Sequence, residues 1–202
     1  FLPNNNNLSN RALTAESVSW AGVPVWTTVG EVHETPDIGS VLQEIVSRPG
    51  WCGGNALSII VSGESPMQIH QAKAYDESAS DAPKLFVEYN EDAIPIGGGC
   101  VAKEYSSQIS TDFDDVEENI SNNGSMYNIS SDLEIEFDDG GNIRQVIGLR
   151  FGNLNIPNTA NITNAYLEFI ADGNSSGDAI VTITGVAADD TDIFSLNAYN
   201  VT

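Results

Sequence analysis

Short apolar runs rich in β-branched residues recur along the chain: ALSIIVSG, KLFVEY, VIGLRF, AYLEFIA and AIVTITGVA, with Gly, Asn, Asp or Pro around most of them. β-Branched side chains fit a pleated, half-buried surface and the bounding residues favour turns, so each run predicts a strand. In NAYLEFIADG, Ala165, Leu167 and Phe169 alternate with Tyr166, Glu168 and Ile170, the period of a strand with one buried face. One segment departs from this period. In TPDIGSVLQEIVSRPGW, Ile38, Leu42, Ile45 and Val46 fall at helical spacing. Thr35 or Asp37 can cap the start, and Pro49-Gly50 stops the end, so a helix is predicted at about 37–48. Regularly spaced strands with a single short helix imply an all-β, jelly-roll-like β-sandwich whose open end the helix plugs.

Two polar stretches interrupt the strands. PNNNNLSN near the start is too polar to bury and reads as an exposed loop. NEDAIPIGGGCVAKEY mixes Pro with a glycine run after a completed strand, which is a linker composition. The chain therefore divides into residues 1–92, a linker at 93–104, and residues 105–202. Neither flanking segment alone holds many strands.

Charge narrows the partners. With 7 Lys+Arg against 29 Asp+Glu, the net charge is -22, which repels nucleic acid and anionic membrane surfaces alike. No apolar run reaches the roughly 20 residues of a spanning helix, so membrane insertion is not expected. The chain starts FLPNNNNLSN, without Met or an apolar leader, which reads as a mid-protein start with any signal peptide removed or far upstream. Asn-x-Ser/Thr acceptors occur at Asn7, Asn119, Asn123, Asn128, Asn161, Asn174 and Asn200, which favours secretion through a glycosylating pathway over a merely Asn- and Ser-rich chain. Extracellular or cell-surface placement follows, and in that oxidising setting Cys52 and Cys100 are expected to form a disulfide; the alternative is two unpaired cysteines.

Candidate chemistry is sparse. Asp112, Asp114, Asp115, Glu117 and Glu118 crowd one segment, with Asp132 and Glu134 following, and such hard oxygen donors suit Ca²⁺. Asp115 and Glu117 share a strand face. The competing reading is an acidic, solvated edge that resists unwanted strand pairing. Asp189, Asp190 and Asp192 predict a loop. His33 and His70 have no nucleophile elbow or cysteine partner near them, so they read as surface or packed histidines, and no catalytic centre is expected. Aromatic faces stack on sugar rings; Trp26 and Trp51 fit the core, which leaves Trp20, Tyr75 and Tyr127 as ligand-binding candidates.

The segment from Thr111 to Asp172 carries an acidic strand, then Gly148-Leu149-Arg150-Phe151, then Ile156-Pro157 and Ala160 to Phe169. It resembles the opening half of the DNRLRE-like, carbohydrate-binding-module-type jelly rolls of large secreted and surface proteins. Val23 to Tyr89, with its tryptophan strand, helix, RPGW and GNAL, resembles the closing half. The two halves stand here in reversed order, and DIFSLNAYNVT would join naturally to FLPNNNNLSN. The resemblance implies a β-sandwich, raises Ca²⁺ as a cofactor, and leaves three arrangements: one register of a tandem array, a circular permutant, or a subunit whose halves complete neighbouring sandwiches. The last implies copies of the chain as partners and a filament, sheath or adhesive stalk. The alternative is a carbohydrate-binding module with glycans as partners.

Overall fold

The computed structural model describes residues 8–63, 68–91, 102–120, 124–138, 143–175 and 177–194. Twelve strands and one helix follow in chain order. The first segment holds β1 (Leu13–Val23), β2 (Val32–Glu34), α1 (Gly39–Val46), β3 (Asn55–Gly63), β4 (Ile69–Lys73) and β5 (Lys84–Glu91). The second holds β6 (Ala102–Gln108), β7 (Asp115–Asn119), β8 (Ser125–Tyr127), β9 (Asp132–Glu136), β10 (Gln145–Leu154), β11 (Ala160–Ile170) and β12 (Ala179–Val186). The all-β reading holds. β6 begins at Ala102, inside the stretch expected to be linker, and residues 93–101 with Cys100 lie outside the described residues.

The strands form a six-stranded sheet in the order β1-β12-β3-β10-β7-β8, a four-stranded sheet β2-β11-β5-β6 and a two-stranded sheet β4-β9. Seven of these nine pairings join a strand of the first segment to one of the second, and none of the described pairings joins two strands of the first segment. The remaining two, β10 with β7 and β7 with β8, lie within the second. The two halves are thus interleaved in every sheet.

Between the sheets lies the main core, with Leu57, Ile59 and Val61 of β3, Leu149 and Phe151 of β10, and Ala165, Leu167 and Phe169 of β11 all buried. The alternation read in β11 is the one observed: its odd-numbered residues from Ala165 face the core and its even-numbered ones are half-buried. β3 is buried on both faces, which is why its sequence is a nearly continuous apolar run. Its outward Ile60 joins Leu8, Val116, Val146, Val186 and Phe194 in a second apolar cluster. Both ends of the described chain meet there, with the Arg11 guanidinium 4.8 Å from the centre of the Phe194 ring. Gly148 permits that meeting, since a Cβ at this position would stand 2.6 Å from Leu8 Cδ2 and 2.9 Å from Phe194 Cζ.

The helix is shorter than its apolar pattern suggested and is capped differently. Its N-cap is Ile38, which offers no side-chain bond. Asp37, one residue earlier, accepts the Gly39 N–H at 2.8 Å and the Ala165 N–H of β11 at 2.9 Å, while Thr35 accepts the Leu167 N–H. Further along, Gln43 bonds to Ile162 N–H and Ala160 C=O, and Glu44 accepts the consecutive N–H groups of Ala15 and Glu16. The helix therefore supplies polar partners to a strand of each large sheet. That closes the sandwich where β1 is an edge and would otherwise offer unpaired amides.

Candidate functional site

The acidic segment is not a solvated edge. β7 runs between β10 and β8, and Asp114, Asp115, Glu117 and Glu118 are all buried. Burying a carboxylate is costly unless donors reach it, and here each carboxylate has at least one, although Asp115 Oδ1 and Glu118 Oε1 have none. Asp114 Oδ1 takes Arg150 Nη1 at 2.8 Å, and its Oδ2 takes the hydroxyls of Ser110 and Thr111. Glu118 Oε2 receives the N–H groups of Leu8 and Ser9 on the outer face. On the opposite face Asp115 Oδ2 receives the Tyr75 N–H and Glu117 Oε1 the Glu134 N–H, each at 2.7 Å. Asp132 is bonded to Gln71 Nε2 and Ser130 Oγ. The run thus stitches the start of the chain, the turn after β4 and strand β9 onto β7.

Of the calcium candidates, Asp112 stays half-exposed, and the other five are spread over two faces with protein donors on each. Among the described residues no three His, Cys, Asp or Glu side chains are grouped to hold a metal. Burial pushes the Asp115 carboxyl up to about 7, helped by Asp76 and Asp114 and opposed by the Tyr75 amide. The Glu117 carboxyl goes up to about 8 for the same reason, with Glu134 and Asp132 adding repulsion.

Arg150 is the cation of this region, and its Nε also donates to Thr191 C=O at 2.7 Å. Arg150→Met removes both bonds and strands Asp114, whose side chain is 4 % exposed. Breaking a buried pair costs roughly 3–5 kcal/mol; a loss of about 3 kcal/mol is expected because Arg150 keeps some solvent contact. Urea unfolding of wild type and variant reads it, and Asp114→Asn/Arg150→Met should recover part of the loss.

Beside β7 opens a cleft of about 400 Å³ in which Glu117, Asn119, Glu134 and Gln145 form the floor and Tyr127 and Ile129 the rim. Tyr127 is 45 % exposed, and the Gln145 amide oxygen has no hydrogen-bond partner. Among the described residues, this cleft is where an exposed aromatic candidate adjoins the acidic strand. Trp20 is only 6 % exposed, and Tyr75 packs half-buried against the core, so neither offers an open ring face. Trp26 and Trp51 are buried as expected, the latter donating its indole N–H to Ile156 C=O at 2.8 Å.

Cys52 is an exposed free cysteine. Asn161 and Asn174 are exposed, whereas Asn119 and Asn128 are buried and the folded protein does not present their amides for glycan attachment; Asn7, Asn123 and Asn200 lie outside the described residues. Asp189 and Asp190 do lie in a loop, pinned by Arg48 and by the Ala56 N–H.

One cluster escaped the sequence. Trp26 stacks on His33 at 4.6 Å and meets His70 edge-on at 5.3 Å. Burial lowers both imidazole pKa values, with Glu31 partly offsetting this at His33 and the Pro24 carbonyl at His70. Both histidines are packed, as one of the two sequence readings had it. Among the described residues, no helix is long and apolar enough to cross a membrane. No protein-family model, curated protein or solved structure matches the chain.

Proposed function

We propose that the chain is a non-enzymatic, extracellular structural unit of a filament, sheath or adhesive stalk, in which the first segment of one unit completes the sandwich of the next. The observation behind this reading is that the strands of residues 8–91 pair only with strands of the second segment. Ladder hydrogen bonds are indifferent to which chain supplies the partner, so the same register can be satisfied within a chain or between chains. Between chains it generates an open, head-to-tail series, and each junction has the character of a domain core rather than a surface contact. The reversed order of the halves relative to the jelly rolls they resemble supports the same reading.

Electron microscopy and size-exclusion chromatography of the native material test it. Fibres, or a ladder of species with a repeat of one sandwich, are expected. A single monomeric species in the native material, persisting at concentrations above about a millimolar, overturns it.

A second reading, a carbohydrate-binding module, is favoured by the polar cleft under Tyr127. Calorimetric binding of an oligosaccharide that disappears in Tyr127→Ala would support it.

A further inference from the structure

The outer face of the four-stranded sheet carries an arrangement that neither reading uses. Register sets three cross-strand rows on it. The first aligns Glu34, Glu168 and Lys84; the second Tyr166, Phe86 and Ser106; the third Asn164, Glu88 and Glu104. In the middle row the Phe86 and Tyr166 rings stack with centroids 5.0 Å apart and planes 15° from parallel. They border a shallow cleft of about 260 Å³ that Glu88, Glu104 and Asn164 also line.

Two features of this face work against folding. Glu88 stands directly opposite Glu104, and Glu34 directly opposite Glu168, and like charges in directly opposed cross-strand positions repel. Lys84 relieves only one of these pairs, lying 3.7 Å from Glu168. The nearby Lys103 is engaged by Glu91. The glutamates also act on the ring between them: burial, then Glu34, Glu168, Glu88 and Glu104, raise the Tyr166 phenol pKa. A stacked aromatic pair flanked on both sides by opposed carboxylates is complementary to an organic cation, because the π faces and the carboxylates attract the same positive charge. It is poorly matched to a hard metal ion, which gains nothing from the rings.

Spacing defines the cation further. The two glutamate pairs are four residues apart along the strands, about 13 Å, and two strands apart across the sheet, about 10 Å, so about 16 Å separates their midpoints, with the rings midway. We propose that this face binds linear alkyl polyammonium ions, one ammonium seated between Glu88 and Glu104, another at Glu34 and Glu168, and the intervening methylenes over Phe86 and Tyr166. The Glu88 and Glu104 end is the stronger anchor, because Lys84 already partly neutralises the other.

The test is an NMR titration of the full chain with spermine, whose extended length matches that span, at fixed ionic strength, following the Phe86 and Tyr166 ring resonances. Saturable shifts are expected, weakened at least tenfold in Glu88→Gln/Glu104→Gln. That variant should itself unfold at a higher temperature than wild type without ligand, because it removes a repulsion, so loss of binding cannot be put down to loss of fold. Glu16→Gln/Asp178→Asn removes the same charge from exposed positions elsewhere and should leave binding within about twofold of wild type. Three results overturn the proposal: equal shifts with neutral 1,8-octanediol, equal weakening in the two double variants, or shifts produced by CaCl₂ but not by spermine.

Discussion

Residues 1–91 produced alone are expected to stay unfolded, and to gain strand structure only when residues 102–202 are added. The first fragment contains five strands and a helix, yet each of its strands has its ladder partners in the other fragment. Without them it would expose the apolar inner faces of β3 and β5 and the unpaired amides of β1, which is an aggregating rather than a folding sequence. Residues 102–202 keep only the β7, β8 and β10 ladder to themselves, too little sheet for independent stability. Circular dichroism of each fragment and of the mixture measures the effect, and backbone NMR of the mixture should match the intact chain. A first fragment with native strand content by itself would remove the basis for sandwich completion between units.

Assembly between units has a condition of its own. β5 and β6 are antiparallel neighbours whose facing ends, Asn90 and Ala102, pair directly, and only residues 91–101 separate those ends in sequence. A short connection of this kind gives an effective concentration of about a millimolar, so closure within one chain outcompetes exchange in dilute solution. A filament then requires either high local concentration or a unit prevented from closing on itself. Exchanged dimers should therefore increase with concentration and, once formed, persist on dilution, because separating them means unfolding two sandwiches.

The strands were legible in the sequence because their signal is local. Ala165, Leu167 and Phe169 repeat every second residue, and Pro49-Gly50 stops a helix whichever partner it meets. The role of β7 was not legible. Its carboxylates look like a solvated edge until Leu8, Tyr75, Glu134 and Arg150, all remote in sequence, are seen to donate to them. Phe86 and Tyr166 were hidden for a related reason, since their stacking exists only in the register of β5 against β11. Trp20, left as a ligand candidate once Trp26 and Trp51 are assigned to the core, is itself buried. It falls on the inward side of β1, a strand with register shifts on either side of the tryptophan. A period of two does not survive such irregularities.

Glu117→Gln is expected to convert a protein that weakens with rising pH into one that weakens far less. The Glu117 carboxyl lies at about 8 in the fold and near 4.3 in an unfolded chain, so the folded state holds a proton that the unfolded state has released. A raised folded value gives stability that is complete below the unfolded value and is lost as pH climbs through the folded one. The window is therefore about pH 4 to 8, with a slope near 1.4 kcal/mol per unit and a total on the order of 5 kcal/mol. Asp115, at about 7, acts in the same direction and ends earlier. His33 and His70 act oppositely: their depressed values give stability present above about pH 6.5 and lost as pH falls. The two acids therefore dominate from pH 6.5 to 8, and the histidines temper them below. Glutamine keeps the oxygen that accepts the Glu134 N–H but cannot ionise, so the wild-type and variant urea midpoints should converge near pH 4 and separate steadily up to about pH 8, the variant being the more stable. Parallel profiles across that range would mean that Glu117 is ionised in the fold, with the Glu134 amide and the Ser130 side chain outweighing its burial.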